Sequence, residues 1–151
     1  MSNRGLDEWD IARRGLRSIS SLEIKAFWDG YIAHRRPVPI EHDSLYSRWR
    51  RVSDDLVISL YLTNRSVGLF VRGQRGERYR TTLNRLSAYE PGLGEALGAS
   101  LSGYEGCCYL TNLPLAVTDP GRWPQAHAWL EEQEEVYHRV LSELGGIPGE
   151  G

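Results

Sequence analysis

The chain has 151 residues, a net charge of −2, 40% hydrophobic and 25% charged residues, which suit one globular domain with a real core and exclude wholesale disorder. No apolar run approaches the roughly 18 residues of a membrane span, and the polar start MSNRGLDEWD is no signal peptide. The two cysteines, Cys107 and Cys108, are adjacent and build no disulfide framework, so a reducing cytoplasm is the expected setting.

Charge is divided along the chain. Residues 1–85 carry 16 Lys and Arg against 10 Asp and Glu, whereas residues 86–151 carry 2 against 10. Such a division suits either a basic face for an anionic partner or two halves that neutralise each other on packing.

Residues 1–18 mix Leu6, Trp9, Ile11 and Leu16 with Arg13, Arg14 and Arg17, and read as a basic arm or short helix. Ser20-Ser21-Leu22-Glu23 then fits a capping box, with Ile19 and Ile24 placed as a hydrophobic staple. The helix expected from Ser21 to Arg35 carries Ile24, Phe27, Trp28, Tyr31 and Ile32 as an apolar stripe and ends before Pro37. Gly30 within it suggests a close approach by another backbone.

Residues 37–55 read as a long irregular stretch in which Leu45, Tyr46, Trp49 and Val52 form a helical turn or two. The segment from Leu56 to Gly73 is the organising feature. Leu56, Ile58, Leu60 and Leu62 alternate with Val57, Ser59, Tyr61 and Thr63, and Val67, Leu69 and Val71 alternate with Gly68, Phe70 and Arg72. This period of two predicts an antiparallel hairpin turning at Asn64-Arg65. A helix is expected from Glu77 to Tyr89, a shorter one around Leu93 and Leu97, and a strand from Gly106 to Leu113 that pairs with Ala99–Ser102. Asp119-Pro120 or Trp123-Pro124 starts a long final helix, with Ala126, Trp129, Leu130, Gln133, Val136, Tyr137, Val140, Leu141 and Leu144 facing inward and Glu131, Glu132, Glu134 and Glu135 facing out. The expected fold is α+β: residues 19–145 form a small antiparallel sheet on the central hairpin, covered on one face by an N-terminal and a long C-terminal helix. Residues 146–151 read as a disordered tail.

The chemistry-bearing motifs are sparse. Glu23-Ile24-Lys25 matches half of a restriction-type nuclease motif, in which carboxylates hold Mg²⁺ and a lysine polarises the phosphate. Lys25 is the only lysine beside 17 arginines, but the triplet falls in the first turn of a capped helix, where the capping box accounts for Glu23. Glu41-His42-Asp43 lacks the ligand spacing of a structural zinc site and reads as solvated loop. No metal or cofactor is expected. Cys107 and Cys108 alternate in and out of a strand, with nothing to lower a thiol pKa. The arginines are the remaining clue: Arg48, Trp49, Arg50, Arg51, Arg72, Arg75 and Arg78 form the candidate binding surface, with arginine for phosphates and aromatic rings for bases.

Phe27-Trp28, the hairpin from Leu56 to Gly73, the short helical region from Leu86 to Leu97, and the ending Asp119-Pro-Gly-Arg-Trp123 through Trp129-Leu130 to Leu144 carry a resemblance. Over residues 21–144 the chain resembles a bacterial domain family of unknown function, often found C-terminal to restriction-type or repair-type nuclease domains. The resemblance implies an accessory or interaction module with a nucleic-acid setting by association, and brings no catalytic residues. A non-catalytic binding or assembly protein is therefore expected, with a Mg²⁺-dependent nuclease using Glu23 and Lys25 as the alternative. A two-fold homodimer is expected too, with the glutamates of the last helix meeting Arg48-Trp49-Arg50-Arg51 of a second copy.

Overall fold

The computed structural model describes residues 18–104 and 106–146. The expected N-terminal arm, from its first residue to Arg17, and the tail beyond Gly146 lie outside them.

Helix α1 (Ser21–His34) begins at the capping box read from the sequence: Ser20 Oγ accepts from Glu23 N, and the Glu23 carboxylate accepts from Ser20 N. Ile19 and Ile24 are both buried beside it. Five strands follow, β1 (Glu41–Ser44), β2 (Ser47–Ser53), β3 (Leu56–Leu62), β4 (Ser66–Arg72) and, after helices α2 (Tyr79–Ser87) and α3 (Gly92–Leu97), β5 (Cys108–Pro114). They form one antiparallel sheet in the order β1-β2-β3-β4-β5, so each strand pairs with its neighbour in the chain. A 3₁₀ turn (Pro120–Arg122) leads into α4 (Trp123–Gly146), with the Asp119 side chain accepting from Gly121 N. Both expected helix starts are used, in succession.

The hairpin register puts Ile58 opposite Val71 and Leu60 opposite Leu69. Ile58, Leu60, Leu62, Val67, Leu69 and Val71 join Phe27, Trp28, Leu130, Tyr137 and Leu141 in one core beneath α1 and α4. Leu83 of α2 is partly buried at its edge. Phe27 anchors the seam between the two helices, meeting Trp28 and Trp123 edge-to-face at 5.2 and 5.6 Å. Aromatic pairs of this geometry add about 0.5–1.5 kcal/mol beyond the area they bury.

Three local expectations are corrected. Residues 41–53 form a hairpin turning at Leu45-Tyr46, in place of an irregular loop with helical turns. Its period-2 pattern was hidden because arginines occupy inward positions: Arg48 and Arg50 lie opposite Leu60 and Ile58. Strand β5 pairs with β4 rather than with Ala99–Ser102, whose contribution is one bond from Tyr109 N to Ser100 O. Between Leu69 and Val71 of β4, strand β5 carries an extra residue, and Tyr109 takes φ 54° there. That bulge turns consecutive side chains, Cys108 and Tyr109, into the core. Gly30, finally, admits a side chain rather than a backbone: a Cβ there would lie 3.2 Å from His127 Cε1.

Candidate functional site

The arginine-rich segment of β2 divides between the two faces of the sheet, because strand side chains alternate. On the covered face, Arg50 Nη1 donates to Glu134 Oε2 at 2.6 Å and reaches Glu135 at 3.5 Å. Arg35, the residue after α1, also donates to Glu134 Oε2, and Tyr31 Oη donates to Glu134 Oε1 at 2.5 Å. Glu134 has no exposed surface, which corrects its expected place on the solvent face of α4. Ala126, Leu130, Glu134, Tyr137 and Leu141 form the buried line of that helix, at spacings of three and four. That spacing was the signal available in the sequence. Burial, then the facing Glu134 carboxylate, raises the Tyr31 phenol far above its ordinary range, so it remains a donor. The guanidinium of Arg35 lies 5.2 Å from the Tyr31 ring centroid, and its Nε and Nη1 meet no protein acceptor.

Arg48 shares this face. Its Nη1 donates to the carbonyls of Ser44 and Ser47, both at 2.8 Å, and its guanidinium lies over Trp28. Burial moves its pKa down. Arg48 and Arg50 are thus internal groups, not part of a presented surface. The charge match expected between two copies is made inside one chain by Arg50 with Glu134 and Glu135 and by Arg36 with Glu135.

The opposite face carries Trp49, Ser59 and Phe70 in register across β2, β3 and β4, with Arg51, Val57 and Arg72 in the next row. The guanidiniums of Arg72 and Arg75 lie 4.7 and 4.4 Å from the Trp49 ring centroid, and the ring has no exposed surface. Arg51 pairs with Glu41 at 2.7 Å and Arg75 with Asp43 at 2.9 Å. The bond from Arg51 holds the Glu41 carboxyl below its ordinary range. For Asp43, burial works upward but is outweighed by bonds from Ser47 and Arg75, and the net direction is down. Arg78 is exposed at the start of α2, where it lines an open depression with Arg75, Glu77 and Arg85. Four of the seven predicted residues, Trp49, Arg51, Arg72 and Arg75, therefore converge on one face.

Further along this face lies a shallow trough of about 540 Å³, lined by Tyr61, Phe70, Tyr104, Cys107, Leu110 and Asn112, among others. Tyr61 crosses β4 at Gly68, where any Cβ would overlap its ring and hydroxyl. Tyr61 Oη accepts from Asn112 Nδ2 at 2.7 Å, which pins the ring against the strands. The arginine and aromatic composition of β2 announced the basic end of this face, but not Tyr61, whose role depends on Gly68 across the strand.

A second cavity, about 590 Å³, opens between α1 and α4 and includes Gly30, Tyr31, His34, Trp123, His127 and Glu131. His127 Nε2 donates to the Phe27 carbonyl at 3.0 Å, and burial moves its pKa down despite that bond.

Glu23 and Lys25 perform local helix work. Glu23 closes the capping box, and Lys25 Nζ pairs with Asp29 at 2.6 Å, one turn on, with both side chains well exposed. Burial raises both thiols, Cys108 to about 11. Comparison with known protein families, with curated proteins and with solved structures finds no match to this chain.

Proposed function

We propose that this chain is a non-catalytic binding and assembly domain of the cytoplasm, accessory to nucleic-acid processing. The observation that carries the reading is the open face of the sheet, where Trp49, Arg72 and Arg75 adjoin the aromatic trough. Exposed apolar surface rimmed by polar groups marks an interaction site. The groups suited to acid–base or nucleophilic work support it too: Glu134 is tied to two arginines, Glu23 caps a helix, and the thiols are raised. The resemblance to domains that accompany nucleases points the same way. No helix among the described residues is long and apolar enough to cross a membrane.

The decisive assay incubates the chain with labelled single- and double-stranded DNA and Mg²⁺. Intact strands are expected at stoichiometric protein. Cleavage that disappears in a folded Lys25→Ala variant would establish the nuclease alternative instead.

The two-fold homodimer remains the proposed assembly, on contacts other than the acidic helix. Leu45 and Tyr46, exposed at the tip of the β1–β2 hairpin, supply apolar surface for a second copy. Light scattering at micromolar concentration is expected to give twice the chain mass. A single-chain mass at both low and moderate salt would mean that the intrachain pairs are the whole use of the charge division.

A further inference from the structure

We propose that the open sheet face binds single-stranded nucleic acid, with Tyr61 and Phe70 stacking on bases and Arg72 and Arg75 holding phosphates. The inference rests on the non-catalytic binding reading above and names its ligand.

Three features select this class. The first is the posture of the rings. Gly68 leaves room for the Tyr61 ring to lie along the sheet, and Asn112 holds its hydroxyl there while also donating to Ser66 Oγ at 3.0 Å. Phe70, 6.2 Å away between centroids with its plane tilted 48° to that of Tyr61, adds a second aromatic ring to this part of the face. Both rings are only partly buried. Every base has a π-face, so such a platform accepts any sequence.

The second feature is the state of the arginines. Stacked on Trp49, the two guanidiniums are held in place, with Arg75 also donating Nη1 to Asp43 and Nη2 to the His42 carbonyl. Arg72 donates Nε to the Gly73 carbonyl and has no ion pair among the described residues. Arg75 is paired with Asp43, but at 61% side-chain exposure that pair is readily exchanged for a phosphate. Among the described residues, the carboxylates of Glu41 and Asp43 on this face are each held by an arginine.

The third is dimension. Phe70 and Arg72 are two residues apart on β4 and share a face, a step of about 7 Å along the strand. Phosphate-binding and base-stacking groups at that separation serve successive parts of one extended strand. A duplex keeps its bases stacked inside and reaches such a face only through its backbone.

Fluorescence polarisation with labelled oligo-dT and oligo-U of about twelve nucleotides, within the range that single-strand binding modules cover, tests the proposal against a duplex competitor. Binding to either single strand, stronger than to duplex, is expected. Tyr61→Ala should weaken it about tenfold, the scale of one lost stacking contact. Arg72→Gln should lower the salt dependence by about one released counterion. Tyr61→Leu and circular dichroism guard against a variant that fails to fold. No polarisation change, tighter binding to duplex, or affinity undiminished in Tyr61→Leu and Arg72→Gln would each overturn the proposal. So would a two-chain particle in which this face is shielded from chemical modification, since a second copy would then be its occupant. Cleavage dependent on Mg²⁺ and Lys25 would defeat the non-catalytic reading while leaving binding intact; absent binding without cleavage defeats only the ligand class.

Discussion

The two faces of the sheet use the same residue type in opposite ways. On the covered face, Arg50 and Arg35 are almost wholly enclosed, and one carboxylate, Glu134, answers both, with Tyr31 donating to its other oxygen. On the open face, Arg72 and Arg75 lean on Trp49 and keep part of their surface in water. The difference shows that an arginine run has no single meaning. Alternation along β2 sends Arg48 and Arg50 inward and Trp49 and Arg51 outward, and the helix packed above decides which arginines need an internal acid.

The comparison breaks most sharply at Glu134. Glu134→Ala leaves two guanidiniums enclosed without their shared carboxylate, and should cost about 3–5 kcal/mol in urea unfolding. Replacing Arg35 and Arg50 by Met in a Glu134→Leu background should recover much of that loss, because an apolar core of similar volume carries no desolvation penalty. A cost below about 1 kcal/mol for Glu134→Ala would show that water reaches this cluster and that the two faces do not differ as described.

On the open face the largest response is expected from Gly68→Ala. Its new methyl meets the Tyr61 ring and the Thr111 carbonyl, and forcing such a contact typically costs about 1–3 kcal/mol. Thermal unfolding measures that, and displacement of the ring should also weaken single-strand binding.

Acidity should separate the faces. His127 and His138 are held below their ordinary range by burial first, with Arg50 adding to the effect on His138. Their neutral forms belong to the folded state, so the stability they contribute is complete above about pH 6.5 and is lost as pH falls toward their folded values. Glu41 and Asp43 on the open face are depressed acids, and their contribution is lost only below about pH 4. Melting temperature should therefore fall in two stages. His127→Gln should flatten the first stage and leave the second.

The smallest effect is expected at Lys25, which belongs to neither face. Lys25→Ala removes one exposed pair with Asp29 and should change stability by no more than about 0.5 kcal/mol, as measured by urea unfolding.

Much of the fold was legible because it is encoded locally. Ser20 and Glu23 define the start of α1 three residues apart, and the alternation of β3 and β4 sets both their pairing and their inward row. The 3.6-residue rhythm of Ala126, Leu130, Tyr137 and Leu141 marked the buried side of α4. The first hairpin was not legible, since inward arginines at 48 and 50 erase the hydrophobic alternation by which strands are recognised. Arg48 and Arg50, two of the seven predicted binding residues, turn inward for the same reason.

By itself, then, the sequence determined the α+β class, the central hairpin and its register, the capped first helix and the extent of the last one, since each rests on contacts between residues close in the chain. Tertiary structure alone decided which groups answer Glu134, because its partners are 84 and 99 residues away. It also decided that Tyr61 lies flat, because the space for its ring comes from Gly68 and its anchor from Asn112, 51 residues on. The cost of enclosing a charge and the posture of an aromatic ring depend on what packs against them, and only the folded chain brings those neighbours together.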